Sequence, residues 1–509
     1  MPGPVAPLDI VPFVAAFRHC FTAPGFAYFS AFVEAFWLGA ERRTGVAVWR
    51  RSDGTKHFSN FNRFLTSYRW SGDAVSHCLV QLILEGVGVG MGLGLSAARV
   101  LASGGQESLL LWRDGVLWLL VGLDDTLVRK FGRHLEGAGW QHDAMAPNPR
   151  APIAFGHCWV LLGLLWPLGE QWLCLPWAAW LFRPAKGVPA AQAKRAGSST
   201  KSTKSTKSTK AAQGTEAGSP VHETKLALVA QRLQDLSLPA WLRLRLVADA
   251  AYGKKMLVQG ALELGFHVVS RLPRNAVLYE APAAPCGPRR GRPRKYGEKR
   301  CLEHFAHRTA AAPVQTVRLY GQDWSLRLGA FPLVSRALGG VAILLVVAQR
   351  DVWRRGRCHV QTAYFFSTDV SLSAAQVVRM YAARFAIEVA FRELKGHFGL
   401  GHYQCRQASA AQRHVLLCLV AYSWSQLLRL RTAVSASASA SASASVKSGA
   451  PLAASSEPWR RATPVLTTGQ LRYQARKELQ VHKFMEICAR HHIAAKTRAG
   501  LAADLLAVL

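Results

Sequence analysis

Acidic side chains are scarce in this chain: 30 Asp and Glu stand against 63 Lys and Arg, a formal net charge of +33 over 509 residues. A folded protein with that surplus is expected to meet a polyanion, with nucleic acid first, a membrane surface second and a nucleoprotein scaffold third. Charged residues of all kinds are only 18% while hydrophobic residues are 50%, which excludes a mainly disordered or fibrous chain. The 10 cysteines include no C-x-x-C pair, so no zinc signature is present. Cys20, Cys78, Cys158, Cys174 and Cys418 sit in apolar runs and read as buried thiols. Met1 to Ala16 has no basic segment ahead of an apolar core, so no signal peptide is expected and a reducing cytoplasm fits. An uninterrupted apolar span is also missing. Phe155–Phe182 comes nearest, but Pro167, Gly169, Glu170, Gln171 and Pro176 interrupt it. It reads as short buried strands at Trp159–Leu165, Trp172–Leu175 and Ala178–Phe182 rather than a membrane helix.

The length suggests about three domains. Two tracts are of low complexity: Ser198–Lys210, a Ser-Thr-Lys repeat read as a basic linker, and Ser435–Ser445, alternating Ser and Ala and read as a loop. Before residue 105, Ile10–Phe21, Ala27–Leu38 and Phe58–Tyr68 carry helical apolar spacing, consistent with an ordinary helical domain or one that binds DNA. From Leu109 the pattern changes. Leu109–Trp112 and Val116–Leu123 flank Arg113-Asp114-Gly115, a hairpin signal. His222–Leu236 and Ala251–Leu264 read as helices. Leu242–Ala248, Phe266–Leu272, Val341–Ala348 and Ala363–Ser367 read as strands, Ser373–His397 as one long helix and Val415–Leu430 as an apolar helix. Alternating strands and helices with a Pro-, Gly- and Arg-rich interruption at 275–340 give an α/β architecture with a β-rich insertion.

The helix Ser373–His397 carries a functional stripe. At about 100° per residue, Tyr381, Arg384, Glu388 and Lys395 share an arc about 60° wide, while Glu393 falls well away from it. A solvated charged face with an Arg384–Glu388 pair would look the same on one helix. Two further carboxylates add weight to the functional reading. Asp124 and Asp249 each follow an apolar strand, and strand ends present catalytic groups in α/β sheets. Three carboxylates could hold two divalent cations such as magnesium.

The spacing Y-x-x-R-x-x-x-E-x-x-x-x-x-x-K at Tyr381, Arg384, Glu388 and Lys395 resembles the YREK signature of bacterial insertion-sequence transposases in the DDE, RNase H-like superfamily. LVADAAYGKK around Asp249 looks like the second-aspartate motif of that group, and VGLDDTLVRKFG around Asp124 looks like the first. Ser367-Thr368-Asp369 is also similar. The resemblance covers residues 105–430. It implies an RNase H-like core with a β-rich insertion, cleavage of the element's ends with water as nucleophile, and joining of the 3′ hydroxyl to target DNA. By the same resemblance Asp124, Asp249 and Glu388 would be catalytic metal ligands for two Mg2+, with Mn2+ able to substitute. Tyr381, Arg384 and Lys395 would bind phosphates. Alternation along the strand does not choose between Asp124 and Asp125; the D-x-T context favours Asp124, leaving Asp125 to cap a turn or face solvent.

The expected layout is a helical, DNA-binding segment at 1–105; a first core part at 106–274 with a linker at 197–218; a basic β-rich insertion at 275–340; a second core part at 341–430; a low-complexity loop at 431–458; and a helical segment at 459–509. Within the insertion, Arg289–Lys295 is either a solvated basic loop that touches phosphates without sequence preference or, by resemblance, an AT-hook, with Arg290 and Arg292 as DNA contacts in both cases. Arg129 and Lys130 are either phosphate contacts or a charged face, His397 and His402 are ordinary polar residues, and Trp353 is one of several aromatics able to stack on a base. The expected partners are double-stranded DNA, as terminal inverted repeats and target, and a second copy of the chain. No membrane role is expected, and the location would be the bacterial cytoplasm, at the nucleoid. The rivals are a transposase-derived DNA-binding protein whose carboxylates are unused and a membrane-associated basic protein.

Overall fold

The computed structural model describes residues 10–39, 42–52, 57–88, 111–113, 115–132, 134–143, 152–184, 224–236, 238–282, 294–444 and 466–490. Five helices come first: α1 (Ile10–Ala15), α2 (Ala23–Leu38), α3 (Gly45–Arg51), α4 (Phe58–Thr66) and α5 (Gly72–Gly86). Thr22, Thr44 and Ser71 cap α2, α3 and α5 by accepting from backbone N–H groups of the first turn, which satisfies donors that a helix leaves unpaired. The aromatic residues Phe17, Phe29, Phe32, Phe61 and Phe64 are fully buried among them.

A hairpin then opens the sheet. β1 (Leu111–Arg113) pairs antiparallel with β2 (Val116–Arg129), and Gly115 takes the left-handed turn position at φ 75°. β3 (Gly139–His142), β4 (Ile153–Leu168) and β5 (Gln171–Phe182) follow. The apolar run 155–182 is therefore two long strands rather than three short ones. Its prolines fit because Pro176 lies opposite Gly163 where the β4–β5 register shifts, and Pro167 lies near the turn. No helix among the described residues is long and apolar enough to cross a membrane.

Next come α6 (Lys225–Gln234), β6 (Leu242–Ala248), α7 (Lys255–Glu263) and β7 (His267–Arg271). The stretch that interrupts the alternation holds β8 (Val277–Tyr279), β9 (Lys299–Cys301), α8 (Leu302–Ala310), β10 (Val314–Leu319) and β11 (Gln322–Ser335). β12 (Val341–Arg354) and β13 (Arg357–Ser367) form a long hairpin before α9 (Ala374–Ala383) and α10 (Phe385–Glu393). A π-helical turn, Leu394–Phe398, links these to α11 (Ala408–Ala444), and α12 (Thr468–Arg490) closes the described chain.

Among the described residues the strands make one mixed sheet. Its order runs β3-β4-β2-β6-β7-β13-β12-β11-β8-β9, with β5 on β4, β1 on β2 and β10 on β11. β4 is antiparallel to β2, while β2, β6 and β7 run parallel. Such a parallel centre is buried on both faces, so it reads as continuous apolar sequence rather than alternation. α11 packs against β5 and also against α2, α4 and α5, and Ser423 donates to the Pro176 carbonyl at 2.7 Å.

Two expectations are corrected. Ser435–Ala444 continues α11 instead of forming a loop; half of that tract is Ala, the residue with the highest helix propensity. The long helix Ser373–His397 divides at Arg384, the residue between the end of α9 at Ala383 and the start of α10 at Phe385, and it ends in the π-helical turn. Its start is as the sequence suggests, a capping box between Ser373 and Gln376.

Candidate active site

The parallel register of β2 and β6 ends at the pair Leu123–Ala248. The next residues on the two strands are Asp124 and Asp249, so the sheet itself sets these carboxylates side by side. Asp249 leaves the strand in a tight turn. Its Oδ1 accepts from the backbone N of Ala251 at 2.9 Å and of Tyr252 at 3.2 Å, and its carbonyl accepts from the Ser270 hydroxyl at 2.8 Å. Gly253 belongs to this turn, where an added Cβ would come within 2.6 Å of Ser270 Oγ.

The third carboxylate arrives through an arginine. Arg384 donates from Nη1 to Asp124 Oδ2 at 2.6 Å and from Nη2 to Glu388 Oε1 at 2.5 Å. Its Nε is buried without a hydrogen-bond partner among the described residues. The ligand oxygens of Asp124, Asp249 and Glu388 are not drawn into a cluster within 4.8 Å of one another; among the described residues the one such group lies elsewhere. Burial pushes the Asp124 carboxyl up to about 7, with Asp249 and Asp125 adding in the same direction, and Arg384 only partly offsets this. Without a further positive charge, then, Asp124 is only partly ionised near neutrality.

Tyr381 is half-buried one turn before Arg384, its ring 4.8 Å from that of Phe365, and burial raises its phenol. Lys395 sits on the π-helical turn and donates to the carbonyl of Leu127, three residues past Asp124 on β2, at 3.0 Å. The extra residue of a π-helical turn shifts the side-chain phase, and here it brings Lys395 onto β2. Of this stripe, Arg384 reaches Asp124 on β2 and holds Glu388, and Lys395 reaches Leu127, whereas the Tyr381 ring packs on Phe365 of β13. Glu393 points elsewhere: its Oε2 accepts from Tyr422 at 3.0 Å and Thr468 at 3.1 Å.

Asp125 lies on the opposite face of β2, as alternation requires, but it neither caps a turn nor faces solvent. Its Oδ2 accepts from Lys225 Nζ at 2.6 Å and Cys158 at 3.1 Å, and its Oδ1 from Tyr252 at 2.8 Å. Sequence reasoning missed Lys225 for this reason, since it belongs to no motif. It also missed Tyr320 in the β10–β11 turn. This non-glycine residue has φ 53° and packs on Phe385 with ring centroids 5.9 Å apart, a conformation visible only in the folded chain.

Other singled-out residues fall away from the carboxylates. Arg129 pairs with Asp143 at 2.6 Å. Lys130 donates to the carbonyls of Gly401 and Tyr403, and burial lowers it to about 8. His402 Nδ1 accepts from the Arg43 backbone at 3.0 Å. Asp369 is buried against Arg245 at 2.7 Å. Trp353 stands 73% exposed near the tip of the β12–β13 hairpin. Arg290 and Arg292 lie outside the described residues.

Residues 212–424 match the family model of the transposase DDE domain. This supports a DDE transposase. The matched transposase span takes in Asp249, Tyr381, Arg384, Glu388 and Lys395 and begins after Asp124. No curated protein matches the chain.

Proposed function

We propose that this chain is a DNA transposase that cleaves the ends of its element and transfers them to target DNA, with Asp124, Asp249 and Glu388 as catalytic carboxylates. The observation that carries the reading is the placement of Asp124 and Asp249 at equivalent positions on parallel β2 and β6, with Arg384 tying Asp124 to Glu388. The order β5-β4-β2-β6-β7, three antiparallel strands followed by two parallel ones, supports an RNase H-like core.

The donor set fits magnesium. It is all carboxylate oxygen, suited to a hard cation, and Asp124 is held back from full ionisation by burial, which a bound cation would reverse. Asp124, Asp249 and Glu388 would hold two such ions, and Mn2+ would substitute. When bound, they would stabilise charge on the phosphoryl oxygens during in-line displacement by water and then by a DNA 3′ hydroxyl. The rest falls to the chain's own groups. Arg384 bridges Asp124 and Glu388 and would turn to a phosphate oxygen once a cation takes its place between them. Tyr381 and Lys395 would contact the DNA backbone. The net charge of +33 draws DNA toward the protein. Two element ends would require two copies of the chain. Bacterial origin and a place at the nucleoid accompany this reading.

The non-enzymatic alternative has one observation in its favour, the Arg384 guanidinium lying between Asp124 and Glu388 where a cation could sit. Incubation with DNA carrying the sequences that flank the gene separates the two. The transposase reading expects strand cleavage that needs magnesium or manganese. Specific DNA binding with no cleavage in either metal would favour the alternative.

A further inference from the structure

A second group of metal-type side chains lies among the first helices, outside the strand-end constellation. His19 and Cys20 stand on a short 3-10 turn, Arg18–Cys20, and Cys78 on α5. One ligand atom from each lies within 4.8 Å of the others. The packing of α1 to α5 brings them together, and adjacent residues joined to a distant cysteine leave no zinc spacing in the sequence. The separation of His19 Nε2 from Cys20 Sγ is 3.5 Å. Zinc bonds of about 2.3 Å to sulfur and 2.0–2.1 Å to nitrogen, at a tetrahedral angle, place S and N about 3.6 Å apart. Cys78 is buried, Cys20 half-buried and His19 exposed, so the group has a closed floor and one open side.

We propose that His19, Cys20 and Cys78 form a binding site for a soft, zinc-like divalent cation, with a fourth position open to water. An ordinary thiol is protonated near neutrality, with a pKa of about 8.5. Binding forms two metal–sulfur bonds and one metal–nitrogen bond. It displaces two thiol protons to solvent, so affinity rises with pH. The cation would pin the turn after α1 to α5, replacing the weak contact from the Cys78 thiol to the Ala16 carbonyl at 3.6 Å. A Cys20–Cys78 disulfide is the competing chemistry, and it would leave the adjacent imidazole without a role.

The test is cobalt titration of the reduced full-length protein. The expected result is a thiolate-to-cobalt absorption band that saturates at one ion per chain and is bleached by zinc. It is lost in Cys20→Ser and Cys78→Ser, and zinc raises Tm in the native protein but not in those variants. Should a cysteine variant fail to fold, His19→Ala changes an exposed side chain and should weaken cobalt binding at least about tenfold. Absence of the band, its persistence in both cysteine variants, undiminished affinity in His19→Ala, or thiols that only oxidise to a disulfide would each overturn the proposal.

Discussion

Two pairs of carboxylates sit back to back in this protein. Asp124 and Glu388 face the end of the parallel strands and share one arginine, Arg384. Asp125 and Glu393, one residue away on β2 and five away along the same helical run, face into the fold and are held by Lys225, Tyr252 and Cys158 or by Tyr422 and Thr468. The second pair has its acceptor capacity taken by the protein. The first pair shares a cation that could itself turn to a phosphate, and Asp124 also accepts the backbone N–H of Asp125 at 2.9 Å. Chemical type does not distinguish the pairs; what each oxygen already holds does.

Substitution should widen that difference most on the helix. Glu388→Gln is expected to lower strand cleavage by about a hundredfold or more, as for loss of one preorganised charged group, while leaving DNA-end binding largely intact. Glu393→Gln should keep cleavage and show its effect in the denaturation midpoint instead, because it loosens α10 from α11 and α12. Parallel cleavage and unfolding assays on both variants read this; equal loss of cleavage would erase the comparison. On the inward side of β2, Lys225→Met leaves Asp125 without its cation. It should cost about 1–2 kcal/mol of stability in denaturant unfolding, with cleavage by the remaining folded protein preserved. The smallest expected effect concerns the cations of the site. Lys395→Ala and Arg384→Ala should each reduce the slope of log DNA affinity against log salt by roughly 0.9. An unchanged slope in both would mean that these cations serve only Leu127 and the carboxylates.

Much of the architecture was legible. β6 matches its expected range because an apolar run bounded by Asp and by Pro-Ala-Trp leaves little choice, and the hairpin at Gly115 follows from turn chemistry. Asp249 directly follows β6, as its apolar run suggests, whereas Asp124, expected at a strand end, lies within β2, which runs on to Arg129; what ends at Leu123–Ala248 is the parallel pairing. What the sequence hid was tertiary. The break at Arg384 has no Pro or Gly to announce it, since the residue there turns toward Asp124 on a strand far back in the chain. The role of Asp125 depends on Lys225, which the fold alone brings near. The His19, Cys20 and Cys78 group is invisible for the same reason: its members meet only when α5 packs beside the first turn.

The account rests most directly on which face of β2 carries chemistry, so the deciding measurement is magnesium-dependent cleavage of the flanking-end DNA by Asp124→Asn and Asp125→Asn under identical conditions. The predicted result is no detectable cleavage by Asp124→Asn and measurable cleavage by Asp125→Asn. Cleavage by Asp124→Asn at the native rate would contradict the assignment of Asp124, Asp249 and Glu388 as the catalytic carboxylates.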